Sequence, residues 1–168
     1  MALEIGLAVP HDIDLVMRII AECRDDMKRK GIEQWPDWYP EREKFADAVS
    51  KKELFVARVA GKIAACVVLN HSQGMEYSSV LWEINDPNPL VVHRLAVIPA
   101  MQGSGIAAEM MAFAERHARE KGAKSIRLDT YGGNTASNRF YGKLGYRRAG
   151  SIHLPMMPKE YYCYEKEL

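Results

Sequence analysis

The sequence predicts a mixed α/β domain built around one central sheet. Its 168 residues suit a single domain with room for a sizeable core. Strand-like and helix-like segments follow one another in the order β-α-α-β-β-β-α-β-α-β-β. No repeat, low-complexity tract or linker divides the chain, so one domain over residues 1–168 is expected.

LEIGLAV (3–9) alternates loosely and stops at Pro10, which reads as a strand. His11 to Arg29 places Ile13, Val16, Met17, Ile20 and Cys23 at helical spacing, with Gly31 just past the end. EQWPDWYPE (33–41) reads as a loop, and a second helix fits Arg42–Ser50. LFVARVAGKIAACVVLN (54–70) is a hairpin turning at Ala60-Gly61. Residues 71–89 are polar and turn-rich, with Val80-Leu81-Trp82 the candidate extended run. VVHRLAVIP (91–99) is a β-branched strand stopped by Pro99. The following helix puts Ile106, Met110, Phe113, Ala114 and His117 on one face, and Gly122 caps it. SIRLDTY (125–131) is a strand, GGN (132–134) a turn, and Thr135–Leu144 a short helix closed by Gly145. YRRAGSI (146–152) and YYCYEKEL (161–168) are the last two strands.

A formal net charge of +1 gives no bulk attraction to nucleic acid or to an anionic membrane, so neither is an expected partner. No apolar run approaches the ~20 residues of a bilayer span, and the first residues lack the pattern of a signal peptide. The expected location is the cytoplasm. Cys23, Cys66 and Cys163 are scattered, without a CxxC pair, which predicts reduced core thiols and no metal site. A free Cys23 on a partly exposed helix would be the candidate reactive thiol.

The stretch QGSGIA (102–107), set between a strand and a helix, has the layout of an anion site. The first amides of a helix lack intrahelical acceptors and sit at its positive end. Glycine removes the Cβ that would hold a phosphate away from them. A plain flexible loop explains the glycines equally well. A Walker loop is excluded, because Ser104-Gly105 is followed by Ile106-Ala107 and no lysine is placed for a terminal phosphate. A dinucleotide turn is weakened: GSGIAA has Ala108 at the third glycine position, and Asp129 stands about where a ribose-binding acid would.

HRLAVIPAMQGSGIAAEMM resembles the acyl-CoA-binding core of the GNAT superfamily of N-acetyltransferases. Gln102, Gly105 and Ala107 match its Gln/Arg-x-x-Gly-x-Gly/Ala signature, and Leu95-Ala96-Val97-Ile98-Pro99 matches the strand leading into it. NTASNRFYGKLGYRRAG (134–150) is similar to the family's Asn-x-x-Ala-x-x-Phe-Tyr-x-x-x-Gly-Phe/Tyr segment, with Ser137 where alanine often stands. The two blocks are linked at a fitting spacing across residues 91–150. The pattern Gly31…Gln34-Trp35…Tyr39-Pro40 matches a bacterial subgroup more loosely.

The resemblance implies a mixed, mostly antiparallel sheet splayed between its fourth and fifth strands, with helices on both faces. It also implies acetyl-CoA as co-substrate, no metal, and a small-molecule or peptide amine as acceptor. The pyrophosphate would rest on amides of Gln102, Gly103, Ser104, Gly105, Ile106 and Ala107, and the pantetheine arm along the main chain of Leu95, Ala96 and Val97. Asn134 and Asn138 would contact the pantetheine amides; an N-cap role for Asn134 fits as well. Tyr141 would give a proton or hydrogen bond to the leaving thiolate, with Phe140 facing the core; ordinary packing of Tyr141 is the alternative. The carboxylate that some members carry on the strand is missing, leaving His93 and, more remotely, Glu83 as candidate bases. Positioning alone also serves an amine that arrives neutral. Trp35, Trp38 and Tyr39 would wall the acceptor site, with Glu33 and Asp37 holding a cationic amine; a rigid lid on the core is the alternative. The expected reaction is direct attack within a ternary complex. The alternatives are a non-catalytic acyl-CoA sensor and transfer to oxygen or of a longer acyl chain. A homodimer through the C-terminal strands would also fit the resemblance.

Overall fold

The computed structural model describes residues 2–168. Among them are seven strands: β1 (Leu3–Leu7), β2 (Leu54–Val59), β3 (Lys62–Asn70), β4 (Leu90–Val97), β5 (Ser125–Tyr131), β6 (Arg147–Ile152) and β7 (Tyr161–Glu167). Four α-helices accompany them: α1 (Ile13–Arg29), α2 (Arg42–Ser50), α3 (Ile106–Glu120) and α4 (Thr135–Lys143). The strands form one mixed sheet in the order β1-β2-β3-β4-β5-β7-β6. β4 and β5 run parallel, and their ladder consists of Leu90↔Ile126 and Val91↔Arg127. No described helix is long and apolar enough to cross a membrane.

The chain gathers into two compact units. The first holds, of the described residues, 2–31, 35–69 and 92–114. Its hairpin turns at Ala60 and Gly61 with φ of 49° and 77°, the left-handed pair that a two-residue loop needs to match strand twist. β3 is buried at seven successive positions, so both of its faces are covered. Val16, Ile20 and Cys23 of α1 and Phe45 and Ala48 of α2 pack with Leu54, Val56, Cys66, Val68 and Ala96. Elsewhere in this unit Phe55 of β2 meets Phe113 of α3, ring centroids 5.0 Å apart.

The second unit holds residues 32–34, 70–91 and 115–168. β7 pairs antiparallel along the whole of β5 and also with β6. Tyr77, Val80, Val91, Tyr131, Ile152, Tyr161 and Cys163 form its core. The run at 80–82 is not a strand. A 3-10 turn at Met75–Ser79 precedes it, the Trp82 amide bonds back to the Val80 carbonyl, and the Trp82 indole donates to Tyr77 O. Residues 83–88 are held by two carboxylates, distant Glu165 and their own Asp86. Buried Glu165 accepts the amides of Glu83 and Ile84, and Asp86 accepts those of Asn88, Lys124 and Ser125.

Candidate functional site

β4 ends at Val97, and a short 3-10 turn at Pro99–Met101 leads into the glycine stretch. Gly103 and Gly105 have φ of +80° and +90°, which disfavours any residue with a Cβ. A Cβ built on either would meet nothing within 4 Å, so the backbone there is open. The first amide bond of α3 runs from Glu109 N to Gly105 O at 3.1 Å. The amides of Ile106, Ala107 and Ala108 precede it, at the positive end of a 15-residue helix. Buried Ile106 anchors this end to the core.

The side chain of Gln102 is spent on architecture. Its Nε2 donates to Val97 O at 3.0 Å and ties the turn to the strand end. Cys23 Sγ reaches the same carbonyl at 3.1 Å, so both lone pairs of Val97 O are taken. Ser104 Oγ donates to Met101 O at 2.5 Å. Leu95 is half-buried, while Ala96 and Val97 are buried.

Tyr141 lies in the second unit, buried among the rings of Phe140, Tyr146 and Tyr164 at 5.1, 5.9 and 6.0 Å. Burial, with the Asp129 charge adding to it, pushes its phenol well above the ordinary value. Phe140 is the more exposed of the pair, the reverse of the expected division between them. Asn134 is the N-cap of α4, accepting the Ser137 amide at 3.1 Å. It also donates to Gln34 Oε1 at 2.7 Å. Asn138 donates to Tyr131 O and Asn134 O and accepts from Tyr164 Oη at 2.7 Å. Both of its N–H donors are therefore used.

His93 is half-buried on β4 in the first unit. Glu83 lies in the second, with a largely exposed carboxylate 3.4 Å from Arg147. Trp35 packs on the first core, whereas Trp38 is 62% exposed and meets Tyr39 edge-on at 5.9 Å. Asp37 is paired with Lys28. Glu33 is exposed and belongs to the other unit. All three cysteines are buried and free. Burial raises each thiol to about 12, so Cys23 is not the reactive thiol that partial exposure would make it.

Two features escaped the sequence. Arg94, inside β4, has φ of +54°. Tyr77 Oη donates to half-buried Asp129 at 2.6 Å, and burial raises the affinity of that carboxyl for its proton. Nothing local marks either: a positive φ at arginine has no sequence signal, and Tyr77 and Asp129 are 52 residues apart.

A strand, an open glycine turn and a helix N-terminus, followed in the chain by a further strand and a helix that carries a buried tyrosine, stand in the order that the resemblance implies. The comparisons agree. The sequence model described as the acetyltransferase (GNAT) family matches residues 18–146, and the chain belongs to that family. The uncharacterized N-acetyltransferase YesJ of Bacillus subtilis (strain 168) is 24% identical over 164 residues, covering 96% of this chain and 88% of its own. A GNAT-family acetyltransferase from Streptococcus agalactiae superposes with a TM-score of 0.84 at 24% identity, covering 99% of this chain and 95% of that one. The PaiA N-acetyltransferase of Thermoplasma acidophilum, solved with coenzyme A, gives 0.77 at 16% identity, over 100% of both chains. At these identities the likenesses show the fold.

Proposed function

We propose that this protein transfers an acetyl group from acetyl-CoA to a primary amine by direct attack in a ternary complex. The observation that carries the reading is the open turn at Gly103–Gly105, where positive-φ backbone presents helix-start amides with no side chain over them. That arrangement suits a diphosphate, and the T. acidophilum relative binds coenzyme A. With the carbonyl of Val97 already doubly bonded, the pantetheine arm takes its main-chain contacts from the rest of β4. Asn134 retains one amide N–H for a ligand; Asn138 retains none.

In the reaction the amine nitrogen forms a bond to the thioester carbon, the C–S bond breaks, and the sulfur leaves as thiolate. Tyr141 donates a hydrogen bond to that sulfur. Its raised proton affinity favours holding the proton over losing it, because a thiol (roughly 8.5) is already more acidic than an ordinary phenol (about 10). The ammonium must shed a proton before attack, and His93 or solvent receives it. Titration calorimetry with acetyl-CoA, followed by thiol release with amino acids, polyamines, aminoglycosides and peptides, tests the reading. Binding followed by thiol release with an amine is the expected result. Binding without release from any acceptor would leave an acyl-CoA sensor, and no binding would overturn the reading.

A further inference from the structure

Arg94 is the one residue of β4 in left-handed backbone, at φ +54°. A side chain there is strained, and strain held inside a strand clusters at ligand sites. Its guanidinium carbon lies 5.7 Å from the ring centroid of Tyr39 and 5.9 Å from that of Phe45. The side chain is half-buried, and its Nε is buried without a hydrogen-bond partner.

No ion pair among the described residues includes Arg94, and five aspartates of its own unit are paired with other cations: Asp12 with Arg58, Asp14 with Arg42, Asp26 with Lys30, Asp37 with Lys28 and Asp47 with Lys51. Cys66, whose thiol approaches Arg94 O at 3.8 Å, stays protonated and supplies no negative charge. A partly desolvated cation without a counter-charge is costly, and two aromatic faces offset only part of that cost. Four residues of extended chain, at ~3.3 Å each, separate Arg94 from Ile98 and so from the glycine turn. The amides proposed for the diphosphate lie beyond that turn, which leaves Arg94 for a second anion.

We infer that Arg94 binds the carboxylate of the acyl acceptor, making the preferred acceptor an amine that also carries a carboxylate. A planar guanidinium matches a carboxylate with two parallel bonds, and the half-buried ring of Tyr39 suits the carbon skeleton beside it. This rests on the acetyl-transfer reading for its context, though the binding itself needs no coenzyme.

Calorimetry of the full-length protein with a panel of common L-amino acids, their amides and the matching decarboxylated amines tests it. At least one acid should bind 10-fold or more tightly than its amide and amine. Arg94→Gln should abolish that preference, and Arg94→Lys should keep part of it. Arg94→Gly removes both the strain and the charge, so it should hold or raise Tm while losing the preference; it guards against a Gln variant that fails to fold. In turnover assays the loss should fall on KM for the acids, leaving kcat within about twofold. If no acid of the panel binds better than its amide, or if Arg94→Gln and Arg94→Gly bind the acids as the wild type does, the inference is overturned. Failure of acetyl-CoA to bind would instead remove the transfer reading, whatever the acids do.

Discussion

At the scale of single residues, Tyr141 and Gly105 separate chemistry from binding. Removing the Tyr141 hydroxyl leaves a buried ring with its three aromatic neighbours, so the fold should tolerate Tyr141→Phe. Losing a donor to a developing charge costs about 100-fold in rate. The expected outcome is a kcat lower by that order with acetyl-CoA affinity unchanged. Because burial holds the phenol above its ordinary value, wild-type kcat should rise as the amine deprotonates and then stay level up to about pH 10. A descending limb near pH 8 would assign the acid elsewhere. Gly105→Val should weaken acetyl-CoA binding at least 10-fold, since the new side chain fills space that is open beside the turn proposed for the phosphates. Strain at φ +90° also costs stability, on the order of 1–2 kcal/mol. Gly31→Ala at φ +73° carries strain of the same kind at the end of α1, and should lower Tm without touching coenzyme affinity.

At the scale of elements, α4 shows what local sequence can specify. GGN before an apolar-spaced segment announces a turn and a cap, and Asn134 caps Thr135–Lys143 as that pattern implies. Asn134→Ala should cost about 1 kcal/mol in urea unfolding, while Asn134→Asp keeps the cap acceptor and recovers most of it. Equal losses in both variants would assign the role to the Gln34 contact, which aspartate cannot donate to. Most boundaries were legible because periodicity and Gly or Pro stops are local. Residues 71–89 were not, because their shape is dictated from afar: Glu165 is 82 residues from the Glu83 amide it accepts. For the same reason the glycine turn could be read as an anion site, but not the loss of Gln102 and of Val97 O to structural bonds. The kink at Arg94, between ordinary strand residues, gave no warning.

At the scale of the whole molecule, each unit carries a buried aspartate whose charge stabilises it. Asp12, 2% exposed, accepts the Val9 amide at 2.9 Å and Arg58 Nη2 at 2.8 Å. Burial works to raise its pKa, but those two donors outweigh it and hold the group below the ordinary 3.8. Asp86, 8% exposed, is likewise held low against its burial by the amides of Asn88, Lys124 and Ser125 and by the Ser125 hydroxyl. A depressed pKa in the folded state means that the unfolded chain binds protons first. The stabilisation is therefore complete above 3.8 and is lost as pH falls through the folded value. Asp129 has the opposite sign. Burial raises it, the Tyr77 hydrogen bond opposing, so the folded state binds the proton more tightly and loses stability as pH rises from 3.8 through the raised value. Urea midpoints at pH 7 and pH 3 should register all three. Asp12→Asn and Asp86→Asn should lower the midpoint at pH 7 and converge on the wild type at pH 3. Asp129→Asn should match or exceed the wild type at pH 7, with its advantage vanishing at pH 3. Asp86→Ala orphans three amides and a hydroxyl, and should cost about 3 kcal/mol at pH 7. Midpoint losses for the two asparagine variants that stay the same at both pH values would show that shape, rather than charge, is what these aspartates supply.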